Sequence, residues 1–268
     1  SARELSRAAF ATRRCGDAWA AVAPEPSVSR VPRHLAVIPD GNSRWAERHG
    51  RPRRDGHWAG VDSLRTVVQA CAETPDIQVL TVYAFSVENW ERPSAETRWI
   101  FELVQQALIS EAARLLELGV RLRFIGEIDR LPEGLRCTLR RAAAIGPVDG
   151  EESLLLCIAL SYGGRHEVAR IARGLAERVA AGELSPANVD EAAFAHALRS
   201  SPTSAPSDPD LLVRTGGQQR LSNFLLFQAA YTELYITDVL WPDFGADQLE
   251  TALGEFARRK RTFGRRVQ

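Results

Sequence analysis

Apolar residues follow two rhythms along this chain. Short continuous runs bounded by turn formers predict buried strands. Leu35–Ile38 is stopped by Pro39-Asp40-Gly41-Asn42, and Val79–Phe85 is rich in β-branched and aromatic residues. Similar runs recur at Val120–Ile125, Leu154–Leu160 and Leu211–Arg214. Between them the spacing is helical. His57 to Glu73 carries Trp58, Val61, Leu64, Val67, Val68 and Cys71. The stretch from about Ser94 to Leu118 puts Ile100, Phe101, Val104, Leu108, Ala112 and Leu115 on one face, with Ser94 as its expected cap and Gly119 as its stop. Further helices are predicted over Gly134–Ala144, Arg165–Ala181 and Asp247–Arg261. Strands that alternate with helices predict an α/β domain with a mainly parallel sheet covered on both faces. The Ser200–Pro209 tract reads as a loop inside that domain, because a strand resumes at once. There is no internal repeat.

Composition narrows the function classes. The 268 residues hold 34 basic and 34 acidic side chains, and this balance argues against a protein held on nucleic acid by phosphate neutralisation. No apolar run approaches the roughly 20 residues that cross a bilayer. Lys260 is the only lysine, and every other basic residue is arginine. Codon usage explains that, and so does a demand for guanidinium forks on anions. The cysteines Cys15, Cys71, Cys137 and Cys157 are too few and scattered for a disulfide scaffold or a zinc pair; Cys71 and Cys157 read as small buried hydrophobes, and a reducing compartment follows. Residues 1–30 are rich in Ala, Ser and Arg and poor in acids. They read as a leader preceding a domain over residues 31–268. Either a transit-peptide remnant, placing the protein in the plastid stroma, or a trimmed bacterial N-terminal helix, placing it in the cytoplasm, fits that composition.

Ligands of open parallel sheets bind beyond the carboxyl ends of the strands, so the segments that follow each strand carry the chemistry. After the first strand, Asp40 can hold a divalent cation. Gly41, Asn42 and Ser43 let backbone approach a phosphate, and Arg44, Arg53 and His57 add positive charge nearby. An Asp-Gly turn with Asp40 as helix cap is the plainer alternative. After the second strand comes the polar and aromatic segment Phe85–Pro93. After a later one, Arg214-Thr215-Gly216-Gly217-Gln218-Gln219-Arg220-Leu221-Ser222-Asn223 offers two arginines to a second diphosphate. Glu233, an acid between apolar neighbours, needs a partner, and a metal is one candidate. The chain has no P-loop, no G-x-G-x-x-G after a strand, no H-E-x-x-H and no G-x-S-x-G. The residues therefore point to two diphosphate sites and one divalent metal, with apolar helices able to wall a lipid-like ligand.

Five ordered blocks, His34–Trp45, Leu80–Pro93, Ser161-Tyr162-Gly163-Gly164-Arg165, Asp210–Gln228 and Tyr231–Phe244, resemble the cis-prenyltransferases of the undecaprenyl diphosphate synthase family. The resemblance runs from about Pro32 to Gly264. It implies a six-stranded sheet, a homodimer, Mg²⁺ as cofactor, and elongation of an allylic diphosphate (farnesyl, geranyl or dimethylallyl) by isopentenyl diphosphate with new Z double bonds. It also implies peripheral membrane contact through the product. In the family's pattern Asp40 is the catalytic acid that holds Mg²⁺, and Glu233 a second metal-linked carboxylate. Gly41, Asn42, Ser43, Arg44, Trp45, Arg53 and His57 match the allylic diphosphate site. Ser86, Glu88, Asn89, Trp90 and Arg92 match a loop over the reacting carbons, with Asn89 at the position assigned to proton removal. Arg214, Arg220 and Ser222 match the isopentenyl diphosphate site.

Departures from the pattern are Ser43 for a common glycine, Val87 for a hydroxyl residue, Leu160-Ser161 for Ala-Asn and Gln218 for glutamate. The triplet Thr262-Phe263-Gly264 stands where many members have Arg-x-Gly. A non-catalytic partner subunit of a heteromeric enzyme is the alternative function. Such subunits tend to lose the strand-end aspartate and the diphosphate arginines, and Asp40, Arg44, Arg53, Arg214 and Arg220 are all retained.

Overall fold

The structure, a computed structural model, describes residues 30–147 and 153–263. The expected leader, apart from Arg30, lies outside the described residues, as do Cys15 and Gly264. Residues 30–259 fall within one compact unit.

Six strands form its sheet: β1 (His34–Ile38), β2 (Val79–Ser86), β3 (Val120–Ile125), β4 (Leu154–Tyr162), β5 (Leu211–Arg214) and β6 (Glu233–Ile236). Their order is β3-β4-β2-β1-β5-β6, and every pairing is parallel. Seven helices connect and cover them among the described residues: α1 (Asn42–Arg48), α2 (Arg53–Ala72), α3 (Ser94–Glu117), α4 (Glu133–Ala144), α5 (Gly164–Ala180), α6 (Glu191–Ser200) and α7 (Ala246–Arg258). After β1 the chain moves to β2 on one side, whereas β5 and β6 lie on the other. The carboxyl ends of β1 and β5 therefore flank a topological switch point, where a crevice opens.

Side-chain alternation sorts the strands into two buried faces. Leu35 and Val37 of β1 join Leu80, Val82, Leu156 and Val213 beneath Val67 and Val68 of α2 and Ile100, Phe101 and Leu108 of α3. Ala36 and Ile38 face the other way, towards Tyr83, Tyr162, Leu212, Phe224 and Leu225. Strict alternation would put Tyr83 and Phe85 on one face. The register of β2 against β4 slips between them, and this bulge turns Phe85 into the helix-covered layer while Tyr83 stays in the other.

Three details differ from the sequence reading. Ser94 is the first residue of α3, following Pro93, and no side chain caps that helix; the proline already sets the entry. α6 was not anticipated, although Asp190 caps it by accepting the Ala193 N–H at 2.8 Å. Nor was β6 read as a strand, since four residues at a half-exposed sheet edge give no apolar run. Cys71 and Cys157 are buried free thiols, as expected. No helix among the described residues is long and apolar enough to cross a membrane.

Candidate active site

Asp40 stands just beyond β1, inside the crevice. Gly41 takes φ +115° there, and a Cβ on it would lie 2.8 Å from the Leu240 Cδ2, so both backbone and space demand glycine. The Asp40 side chain caps nothing: α1 starts from Gly41 without a side-chain cap. Its carboxylate is instead divided between two arginines. Arg44 Nη2 donates to Oδ1 at 3.0 Å and Arg214 Nη2 to Oδ2 at 2.9 Å. The Asp40 main chain is fixed from β5, because the Thr215 hydroxyl accepts its N–H at 2.9 Å and donates to its carbonyl at 2.7 Å. Arg44 Nη1 also reaches the Gly216 carbonyl at 2.7 Å.

The segment after β5 wraps around Arg214, whose side chain is only 5% exposed. Arg214 Nη1 donates to Ser222 Oγ at 2.7 Å and to the Arg220 carbonyl. Arg220 is exposed and its Nη1 meets Gln218 Oε1 at 2.7 Å, so the glutamine found in place of glutamate still engages this arginine. Ser222, Asn223 and Leu225 have φ of +50°, +63° and +45°. Three non-glycine residues at positive φ within four positions hold a costly loop shape.

The segment after β2 forms the third side. Ser86 and Asn89 make a reciprocal capping box for a short 3₁₀ turn, Val87–Glu91, in which Asn89 Oδ1 accepts the Ser86 N–H at 3.1 Å. Trp90 packs against Phe85 and Phe101 and donates its indole N–H to Ser161 Oγ at 2.9 Å. Arg92 pairs with Glu96 at 3.0 Å. His57 sits edge-on to Trp99. Burial first, then the nearby Arg92, opposed by Glu96, and Arg53 push its pKa down to about 4. His57 is therefore a neutral imidazole here, which corrects the expectation that it adds positive charge. Arg53 pairs with Glu47 at 3.4 Å, and the Trp45 indole is taken by Asp243 at 2.7 Å.

The crevice thus joins Asp40, Arg44, Arg214, Arg220 and Ser222, while Arg53, His57 and Arg92 form a second group that share a field. Glu233 belongs to neither. It pairs in register with Leu211, and Leu211 with Leu35, so it lies at the amino end of the sheet. At ~3.3 Å per residue this is more than about 15 Å from Asp40, and its carboxylate pairs with Arg259 at 3.1 Å. Within this chain Asp40 and Glu233 therefore lie at opposite ends of the sheet. Periodicity alone could not have revealed it, because the position depends on strand register.

Sequence reasoning missed three contributors. Thr215 was quoted but given no role, although it holds Asp40. Gly56 and Gly60 let α2 approach α1: a Cβ at Gly60 would fall 2.6 Å from Asn42 Oδ1, and one at Gly56 would strike the Asn42 carbonyl. Their spacing of four on one helix face was the available signal. Asn223 is the third.

Comparison with known proteins identifies the family. The family described as "Putative undecaprenyl diphosphate synthase" matches residues 38–264. This chain belongs to the undecaprenyl diphosphate synthase family, the cis-prenyltransferases. The isoprenyl transferase of Heliobacterium mobile is 46% identical over 235 residues, 88% of each chain. The ditrans,polycis-undecaprenyl-diphosphate synthase ((2E,6E)-farnesyl-diphosphate specific) of Xanthomonas oryzae pv. oryzae is 46% identical over 244 residues, 91% of this chain and 92% of the other. The crystal structure of lavandulyl diphosphate synthase from Lavandula x intermedia in complex with dimethylallyl diphosphate superposes with a TM-score of 0.82 at 34% identity, covering 88% of this chain and 99% of that one. Membership of the cis-prenyltransferases makes this chain a prenyltransferase of the cis type, and the crevice beyond β1 and β5 is its candidate active site.

Proposed function

We propose that this chain condenses isopentenyl diphosphate with an allylic diphosphate, making Z double bonds and releasing diphosphate at each step. The observation that carries the reading is Asp40, held between Arg44 and Arg214 from the loops that follow β1 and β5. Farnesyl diphosphate is the proposed primer, in keeping with the named specificity of the Xanthomonas relative.

Mg²⁺ suits this site. Mg²⁺ is commonly bound through one or two carboxylates plus substrate phosphates. Asp40 is a hard oxygen donor 29% exposed to the crevice, and no group of three or more His, Cys, Asp or Glu able to hold a metal exists among the described residues. Asp40 would hold the cation, which would neutralise charge on the departing diphosphate. The chain's own groups do the rest. As the allylic C–O bond breaks, negative charge grows on the leaving group, and the part-exposed guanidinium of Arg44 beside Asp40 meets it where the charge develops. Gly41, Asn42 and Ser43 at the start of α1, with Arg53 and neutral His57, line the allylic side; His57 serves there as a hydrogen-bonding group without charge. Arg214, Arg220 and Ser222 take the isopentenyl diphosphate. Ser86, Glu88, Asn89, Trp90 and Arg92 cover the reacting carbons, and Asn89 is the proposed position for removing the proton whose loss leaves the new double bond.

The growing chain is apolar. Each five-carbon unit gains about 3 kcal/mol if buried, at about 0.8 kcal/mol per CH₂. Half-buried Trp90, packed on Phe85 and Phe101, is the proposed contact for it. We further propose a homodimer formed through the β6 edge, where Tyr231, Leu234 and Ile236 are exposed, peripheral membrane contact through the product, and a bacterial cytoplasmic setting, favoured over the plastid by the bacterial relatives. The retained Asp40, Arg44 and Arg214 favour the enzyme over a non-catalytic partner subunit. Incubating the purified chain with radiolabelled isopentenyl diphosphate, Mg²⁺ and farnesyl, geranyl or dimethylallyl diphosphate tests the reading. A ladder of labelled prenyl products is expected, and no product from any primer would overturn it.

A further inference from the structure

The block Ser161-Tyr162-Gly163-Gly164-Arg165 has no place in the reaction described above, yet it lies where three loops meet. Asn223 is the residue that ties them. Its Nδ2 donates to Glu88 Oε1 at 2.7 Å, in the turn after β2. Its Oδ1 accepts the Arg165 N–H at 2.9 Å, and its main-chain carbonyl accepts the Gly164 N–H at 2.7 Å, both in the first turn of α5. The two glycines make the room. A Cβ on Gly163 would lie 2.7 Å from Val87 Cγ2 and 2.9 Å from Asn223 Nδ2, and one on Gly164 3.1 Å from the Asn223 carbonyl. Asn223 adopts φ +63°, a conformation that asparagine accepts more readily than most residues. Its neighbour Ser222 holds Arg214. An unbroken set of contacts therefore runs from Glu88 through Asn223 and Ser222 to Arg214 and Asp40.

We propose that Asn223 is a positioning residue that clamps the Glu88 turn and the start of α5 to the Ser222 turn, setting the distance between the two substrate-binding loops. The proposal deepens the prenyltransferase reading and rests on it for its kinetic consequences. Burial alone would raise the Glu88 pKa, but the Asn223 amide hydrogen bond, with further hydrogen bonds from its own backbone and Ser86 and the nearby His166, takes it below the ordinary value. Glu88 therefore stays an ionised acceptor for the clamp.

The test compares wild type, Asn223→Ala, Asn223→Asp, Glu88→Ala and the Asn223→Ala/Glu88→Ala pair, each checked for folding by thermal melting. Loss of a charge-assisted hydrogen bond predicts a fall of about 10- to 100-fold in kcat/KM for isopentenyl diphosphate in Asn223→Ala. The same substitution made in the Glu88→Ala background is expected to cost less than in wild type, because one of its two side-chain partners is already gone. Asn223→Asp sets two carboxylates together. It is expected to regain activity relative to Asn223→Ala as the pH falls towards about 5, where a carboxyl pair shares a proton and the bond is restored. His166 faces Glu88 from α5 in both variants. A fourth readout needs no turnover: the Glu88 carboxyl, followed by ¹³C NMR, should titrate higher in Asn223→Ala than in wild type. Wild-type kinetics in Asn223→Ala, an undiminished loss in the Glu88→Ala background, no acid recovery of Asn223→Asp, or an unmoved Glu88 titration would each overturn the clamp. If the wild-type chain makes no product, the prenyltransferase reading fails, and the Glu88 titration alone decides the clamp.

Discussion

Thr215 brackets Asp40: one hydroxyl, fully buried, accepts the aspartate's N–H at 2.9 Å and donates to its carbonyl at 2.7 Å. The residue just beyond β1 is thereby fixed by the residue just after β5, two loops converging on one hydroxyl. Thr215→Val keeps the shape and removes both bonds. The Asp40 N–H is left unpaired, while its carbonyl keeps the Trp241 N–H at 3.0 Å, and the loss is expected to lower stability by about 1–3 kcal/mol. The misplaced carboxylate should lower kcat by roughly tenfold or more. Urea melts and steady-state kinetics check the two effects, and a variant equal to wild type in both would refute the bracket.

Asp40→Asn should fold and fail to turn over. Removing the carboxylate proposed to hold Mg²⁺ at the departing diphosphate is expected to cost about 10²–10³-fold in kcat. Arg214, almost wholly buried, also loses its counter-charge, so the melting temperature should fall as well. Near-normal turnover would remove Asp40 from the chemistry.

Gly60→Ala tests the contact between α1 and α2 without removing a polar group. Its Cβ would lie 2.6 Å from Asn42 Oδ1 and 2.8 Å from Trp241 Cδ1. Overpacking of this kind costs about 1–3 kcal/mol. The displaced Asn42 should raise KM for the allylic substrate while KM for isopentenyl diphosphate holds steady. Equal changes in both constants would show that α1 does not serve the allylic side selectively.

His34, buried and held between Thr81 and Ser207, has its pKa pushed down to about 4, chiefly by burial, with Asp210 and hydrogen bonds from the 207–208 backbone opposing. A folded-state pKa below the unfolded value of about 6.5 means that the unfolded chain binds the extra proton first. Stability should therefore be full above about pH 6.5 and decline towards about pH 4, by up to ~3 kcal/mol from this residue. Denaturant melts of wild type and His34→Gln across that window measure it; an identical pH slope in both would show that His34 stays unprotonated in neither state or in both.

The β6 edge carries Leu234 and Ile236 on its exposed positions. Leu234→Lys with Ile236→Lys should convert the proposed dimer to monomer by light scattering. A wild-type chain that already runs as a monomer would end the dimer proposal.

Five of the six strands were legible because each is a buried run with its own stop signal, as in Leu35–Ile38 before Pro39. β6 was not, because an edge strand of four residues alternates exposed and half-buried positions and so resembles a turn. The Asp40, Arg44 and Arg214 cluster was legible as anion chemistry after strands, since the switch-point rule says where to look. Thr215 and Asn223 were not, because a positioning residue is defined by what it touches across 175 and 135 positions of chain, and periodicity carries no such range. Glu233 shows the same limit in reverse: its acid character invited a metal, and only the register of β5 and β6 reveals Arg259 as its partner.

The sheet order has a consequence for the life of the chain before it is complete. β1 can pair with β2, β2 with β4, and β4 with β3 while the polypeptide is still being made from its amino end. Asp40 and Arg214, however, are 174 positions apart. Until β5 emerges, one side of β1 is an open edge, and its aspartate has Arg44 but neither Arg214 nor Thr215. A nascent or prematurely terminated chain is thus a half-built sheet without a crevice, with a raw edge that β5 must find before another chain does. Assembly of the reaction centre and protection of that edge are one event, so a ribosome stalled before residue 211 releases a product that is both inert and prone to aggregate.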